Sequence, residues 1–248
     1  MKKLAIIILS FMVSIPSVYA EVYGFAVGIQ TNENQLNNFA TEDIDSDNGS
    51  VGSTPGSFQQ GILDTRVNLS DDFKAGALFA EYTAHLDTPV SIPGGVALGL
   101  TLGVNMIPGD AEIKKRSVVQ TDNDTTTPNT QTNTVSYSVD GHKITYAQGG
   151  LVFNNGNTMF YGTLGKASAT VTAKSVNVSS DDFTKKQNLS GEVGGVGIKH
   201  SFNVWNLFLK LDYQETDYDT LTYVTSNNTT VTADLDNRQG AFSIGRTF

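Results

Sequence analysis

The stretch Val96-Ala97-Leu98-Gly99-Leu100-Thr101-Leu102-Gly103-Val104-Asn105-Met106 governs how the rest of the chain is read. Every even position is large and apolar, and every odd position is small or polar. Side chains on a strand alternate between its two faces, so these residues make one oily face and one narrow, wet face. A run of this length matches the roughly 9–11 residues that a tilted strand needs to cross a bilayer. Strands of soluble proteins are mostly shorter, about 5–6 residues. Alternation alone does not say which face points inward.

The same period recurs along the chain. Tyr23, Phe25, Val27 and Ile29 alternate with Val22, Gly24, Ala26 and Gly28, and Leu207, Leu209, Leu211 and Tyr213 with Phe208, Lys210, Asp212 and Gln214. Met159, Tyr161, Ala167, Ala169, Val171 and Ala173 form the apolar set of another segment, against Phe160, Lys166, Ser168, Thr170, Thr172 and Lys174. Near Gly141 the phase slips, which predicts a bulge. The pattern predicts eight strands at about 22–30, 74–86, 95–108, 135–153, 158–176, 191–202, 207–223 and 231–248. Gln60 to Leu69 is a ninth strand-like run. Bacterial single-chain barrels have an even strand number, so it is assigned to the first outer loop, with a strand extension above the membrane as its other reading. Ten strands is the alternative, if that loop hides a hairpin. Connections alternate between tight turns, Asn154–Asn157 and Asn203–Asn206, and long polar loops near 31–72, 110–133, 178–190 and 224–231. The Thr-, Asn- and Gln-rich run Ser117–Thr134 is expected to be a mobile surface loop.

Composition agrees with this. The 248 residues carry a formal net charge of −9, and only 17% are charged. That balance argues against nucleic-acid binding, which needs a basic face. With no Cys in the chain, disulfides, thiolate catalysis and zinc-thiolate sites are excluded. Residues 1–20 read as a secretory signal peptide: Lys2 and Lys3, an apolar run from Leu4 to Val13, then Val18 and Ala20 before a cleavage point at Glu21. Residues 21–248 then form one domain. An oily face exposed to hydrocarbon requires a closed barrel, because every backbone polar group must be paired there.

The chain ends Gly240-Ala241-Phe242-Ser243-Ile244-Gly245-Arg246-Thr247-Phe248. A terminal aromatic with hydrophobic residues stepping back every second position resembles the ends of small OmpA/OmpX-like, opacity-type outer-membrane β-barrels. The resemblance implies an all-β, transmembrane, antiparallel up-and-down barrel. It implies that Phe242, Ile244 and Phe248 are read by the barrel-assembly machinery, that the loops are extracellular, and that the termini are periplasmic. Arg246 departs from the pattern and is expected at the rim, with its head group reaching water.

Candidate site residues are few. Glu81, Lys199, Lys210 and Asp212 fall on the predicted lumen face. Buried charges persist when paired, so they are expected to form a polar network that plugs the barrel. Tyr23, Tyr161 and Trp205, with Phe248, are expected in an aromatic girdle at the turn end, and Tyr213, with Tyr82, in one at the loop end. His85, His142 and His200 lie on separate predicted strands without metal-ligand spacing. Asp43 to Gly49 starts like a calcium loop, but its Gly is one place late and Thr54 stands where the closing Glu belongs. The expectation is a monomeric, non-enzymatic barrel with no cofactor. Outer-membrane lipid would surround it, and acidic loops would carry an adhesive or other surface role toward an unidentified extracellular partner. A narrow porin is the second reading. A soluble periplasmic barrel holding an apolar ligand is the third, and it requires the oily faces to point inward.

Overall fold

A computed structural model describes residues 22–44, 63–86, 96–108, 110–112, 116–121, 130–153, 156–177, 183–202, 204–224 and 229–248. The predicted leader, residues 1–20, lies outside them. The strands are β1 (Gly24–Ile44), β2 (Leu63–Leu86), β3 (Ala97–Met106), β4 (Asp110–Glu112), β5 (Arg116–Thr121), β6 (Thr130–Phe153), β7 (Thr158–Asn177), β8 (Phe183–Ser201), β9 (Leu207–Tyr218), β10 (Leu221–Val224) and β11 (Thr229–Thr247). Eight of them form the wall, in the order β1-β2-β3-β6-β7-β8-β9-β11, and β11 pairs back onto β1 to close it. All these pairings are antiparallel. The molecule is an eight-stranded, closed, antiparallel β-barrel, and the ten-strand alternative does not apply.

The oily faces point outward. On β3, Leu102 is 59% exposed while its neighbour Thr101 is 1% exposed. Phe25, Ile29, Tyr82, Leu100, Met106, Leu211, Phe242 and Ile244 are exposed likewise. These outward apolar faces are the reverse of what the soluble-barrel reading requires of these strands.

Four features differ from the sequence expectation. The strands are longer than predicted: β1 runs to Ile44 and β2 begins at Leu63, so most of Gln60–Leu69 extends β2 beside β1, in keeping with the strand-extension reading of that run. Ser117–Thr134 contains most of β5 and the start of β6, paired from Arg116↔Val135 to Thr121↔Thr130, and is not a bare loop over those residues. Thr and Val favour extended backbone, so a polar composition concealed a hairpin. On β7 the predicted phase is inverted: Phe160 is 53% exposed and Tyr161 5%. Arg246 does not reach water. It is 4% exposed, with its guanidinium 5.3 Å from the centre of the Phe248 ring.

Local chemistry explains the irregularities. At the β8–β9 turn, Trp205 and Asn206 both have positive φ, 58° and 53°, as a tight hairpin with the right twist requires. Gly141, at φ 63°, sits where the β6–β7 register shifts between Asp140 and Lys143, at the expected bulge. Beyond Met106 the third wall strand leaves β2. Pro108 has no N–H for the ladder, and β4 and β5 continue only along β6. Among the described residues, β2 pairs with β3 only from Leu78 to Leu86.

Candidate functional site

The outer surface defines a membrane zone. Outward positions on β1 read Phe25, Val27, Ile29, Thr31 and then Glu33; on β9 they read Leu207, Leu209, Leu211, Tyr213 and then Glu215. Seven of the eight wall strands end their apolar run at an exposed charge: Glu33, Lys74, Lys143, Lys166, Glu192, Glu215 and Arg238. Eight residue steps from Phe25 to Glu33 span about 27 Å along the strand, or roughly 20 Å at a tilt of about 40°. That is close to the apolar band of a transmembrane barrel. Within the ring of charges, Lys74 lies 2.7 Å from Glu33. This pairing lowers the Glu33 pKa and raises that of Lys74.

Four aromatic rings fill the barrel at the level of the predicted charges. Each lies over a glycine directly opposite on a neighbouring strand: Phe79 over Gly28, Tyr146 over Gly103, Tyr161 over Gly197 and Phe208 over Gly245. A Cβ on Gly103 would come 2.4 Å from the Tyr146 ring, so only glycine fits. Among these rings sit two ammonium groups and two carboxylates. Lys199 Nζ donates to Glu81 Oε1 at 3.0 Å and to the Val22 carbonyl at 3.0 Å, and Lys210 Nζ donates to Glu81 Oε2 at 2.8 Å. Tyr146 Oη donates to Glu81 Oε2 at 2.8 Å, and Tyr161 Oη to Asp212 Oδ1 at 2.7 Å. Lys210 Nζ lies 5.2–5.6 Å from the centres of Phe79, Tyr146 and Tyr161, and Lys199 Nζ lies 4.4 Å from Phe208. Charges balance two against two, and aromatic faces take up part of the desolvation cost of the cations.

The structure thus gathers Glu81, Lys199, Lys210 and Asp212 in one layer. The girdle residues are not gathered alike. Tyr161 points into the lumen, where its hydroxyl holds Asp212, and is removed from the girdle. Trp205 is exposed at the turn end. Tyr23 is half-buried there, edge-on to His85 at 5.2 Å and packed beside Val22, Val152 and Met159. Tyr213 is exposed at the charged boundary, donating to Glu215 at 2.7 Å. Tyr82 lies opposite Phe25 and Leu102, near the turn end and not the loop end. Phe242 and Ile244 face outward, and Phe248 donates its N–H to the Phe25 carbonyl at 2.8 Å.

Above the charged ring the interior changes character. Leu36, Val171, Ala173, Leu189, Leu221, Tyr223, Ala233 and Leu235 make an apolar cluster inside the upper wall. Just below it, buried His142 Nε2 lies 2.6 Å from Tyr218 Oη. Burial pulls the His142 pKa down to about 4 and pushes the Tyr218 hydroxyl up. Sequence reasoning put Phe79 and Phe208 on the faces of Glu81 and Lys210 but missed this pair, the inward Tyr146 and Tyr161, and the packing of all four rings over glycines. The usable signal was Phe79, a large ring on the polar face of its strand, opposite a glycine.

No protein family is matched by the sequence, and no curated protein matches it. Solved structures share the barrel at low identity. Ail, the attachment invasion locus protein of Yersinia pestis, in complex with the heparin analogue sucrose octasulfate, is 11% identical, with 90% of this chain and 99% of that chain covered and a TM-score of 0.35. The outer membrane protease OmpT from Escherichia coli is 9% identical, with 95% and 99% covered and a TM-score of 0.47. A FadL homologue of Pseudomonas aeruginosa is 7% identical, with 91% and 90% covered and a TM-score of 0.32. Their diverse descriptions assign no role to this chain.

Proposed function

We propose that this chain is a non-conducting, non-enzymatic outer-membrane barrel that serves as a rigid pedestal for surface loops. The carrying observation is the doubly filled lumen: an ionic and aromatic layer within the membrane zone, and an apolar cluster above it. An eight-stranded barrel is just wide enough to be filled by side chains. The upper strands continue past the ring of charges and hold the long loops clear of the lipid. An outward apolar band, a leader-like start and the terminal aromatic pattern support the outer membrane as its location, with the turns periplasmic and the assembly machinery reading Phe242, Ile244 and Phe248. The three histidines support a non-enzymatic reading: His85 sits at the turn end against Tyr23, His142 is buried with Tyr218, and His200 Nδ1 is 2.8 Å from Thr158 Oγ1.

Planar-bilayer recording tests the sealed lumen. Purified chain is expected to give no steady current, and large, stable channels would establish the porin reading instead. Orientation is tested by labelling, which the Cys-free sequence makes clean. Thr172→Cys is expected to react with an impermeant maleimide on intact cells, and Val204→Cys only after lysis.

A further inference from the structure

A groove of about 1210 Å³ crosses the lipid-facing side of β11, β9, β8, β7 and β6 and continues to Thr31, Glu33 and Lys74 on β1 and β2. Its floor follows one cross-strand row: Gly240 stands opposite Tyr213, Tyr213 opposite Val196, Val196 opposite Gly162, and Gly162 opposite Gly149. Four interstrand steps make this floor about 19 Å long. The row on its turn side is an unbroken apolar edge of Phe242, Leu211, Ile198, Phe160 and Leu151. Tyr213 leans off the floor, because its hydroxyl reaches Glu215, two residues nearer the loops. The three floor glycines have no use inside the chain. Among the described residues, a Cβ at Gly149 or Gly240 would meet nothing within 4 Å, and one at Gly162 would meet only the Gly195 carbonyl oxygen at 3.9 Å. Glycine within a strand weakens it and often marks the close approach of a ligand.

The groove descends through the membrane zone. Gly240 lies two residues below Arg238, Gly162 four below Lys166 and Gly149 six below Lys143, all three of them members of the ring of charges. Six residues cover about 20 Å of strand, or roughly 15 Å of depth at a tilt of about 40°. At the upper end, Glu33 and Lys74 also line a cleft of about 430 Å³ together with Asp72 and Arg238. Two cations and two carboxylates thus meet at the head of an apolar groove. A purely anionic head group would face Glu33 and Asp72, whereas a head group carrying both signs matches all four side chains. The Lys74–Glu33 pair is exposed on both sides, so exchanging it for ligand charges loses little. We infer that this groove binds one zwitterionic phospholipid of the phosphatidylethanolamine type, with a palmitoyl-length chain along Gly240, Gly162 and Gly149, its phosphate on Lys74 and Arg238 and its ammonium on Glu33 and Asp72. A straight saturated chain lies closer to glycine backbone than to a ridged wall and gains dispersion contacts along its length. The inference rests on the reading of this wall as lipid-facing.

Native mass spectrometry of the full chain tests it. The chain is taken from vesicles holding equal amounts of palmitoyl-oleoyl phosphatidylethanolamine and palmitoyl-oleoyl phosphatidylglycerol. One phosphatidylethanolamine per chain is expected to survive release. Gly149→Leu/Gly162→Leu fills the floor without entering the lumen and is expected to lower the retained fraction about tenfold. Lys74→Ala/Arg238→Ala, at exposed positions, is expected to abolish the preference for phosphatidylethanolamine, and it carries the test if the leucine variant does not fold. Retention that ignores both variants, a preference for phosphatidylglycerol, or scattered adducts with no single retained molecule overturns the inference. So does a chain dimer that the leucines dissolve, which assigns the groove to a second copy. Failure to float with the vesicles overturns the membrane reading and this one together, whereas floating with no retained lipid overturns this one alone.

Discussion

The lower and upper halves of the wall use one backbone alternation for opposite chemistries. Within the membrane zone, β7 turns Phe160 and Leu164 outward and Tyr161 and Thr163 inward. Past Gly165 the same alternation turns Lys166, Ser168, Thr170, Thr172 and Lys174 outward and Ala167, Ala169, Val171 and Ala173 inward. No register shift occurs on this strand at the exchange, since β7 pairs with β8 continuously from Thr158 to Ser175. The surroundings change instead. Lipid touches the lower exterior, where polar groups are expensive, and water touches the upper exterior, where the hydrophobic effect favours an oily interior. The lower half is a membrane barrel packed with paired polar groups. The upper half is built as a soluble barrel is, around an apolar core.

This contrast can be broken at specified places. Glu81→Gln is expected to have the largest effect, because it leaves Asp212 alone to balance two buried ammonium groups. The expected cost is roughly 3–5 kcal/mol, read from urea unfolding in micelles. Leu221→Ala should cost about 2–5 kcal/mol by opening a cavity in the upper core. Amide exchange should show that loss concentrated in β8, β10 and β11 above the ring of charges, and uniform loss along all strands would mean that the halves form one cooperative unit. Leu102→Arg places a charge in the lipid-facing band and should cost about 2–4 kcal/mol. The matched change Thr172→Arg, outward on the upper wall, should stay within about 0.5 kcal/mol. Equal effects of the two arginines would erase the proposed boundary at Glu33, Lys74 and Lys166.

His142 gives the pH-dependent member of the series. Its folded pKa, about 4, lies below the ordinary 6.5, so the unfolded chain binds the extra proton first. The stability tied to this group is therefore complete above about pH 6.5 and is lost as pH falls toward 4, by up to about 3 kcal/mol. The difference between wild type and His142→Gln should close over that window and stay flat above it.

The legible part of this fold was the part where outside and inside differ most. Val96–Met106 and Leu207–Tyr213 lie in the lipid zone, where apolar side chains face out and small or polar ones, with Phe208, face in, and their periodicity gave the faces correctly. On β7 the stronger alternation comes from the upper half, where alanines and Val171 face inward. Carrying that phase down the strand placed Tyr161 on the wrong side. The polar network was legible from Lys199, Lys210, Asp212 and Glu81, because charges recurring on the small-residue face of spanning strands have only the lumen to occupy. Its aromatic half was not, since a ring opposite a glycine is a cross-strand relation that spacing within one strand does not carry. The β5–β6 hairpin, with the polar start Thr130-Gln131-Thr132-Asn133-Thr134 of β6, was read as a loop because hydrogen-bonded pairing leaves no mark on hydropathy.

The four ring-over-glycine pairs have a consequence for how such an interior can change over generations. At Gly103 and Tyr146, a larger residue on one strand requires a smaller one on the other at the same time, and the same holds at Gly28 and Phe79, Gly197 and Tyr161, and Gly245 and Phe208. Substitutions in this layer must therefore arrive as coupled exchanges between adjacent strands, so descendants of the chain should preserve the combined volume of each couple more faithfully than the identity of either member.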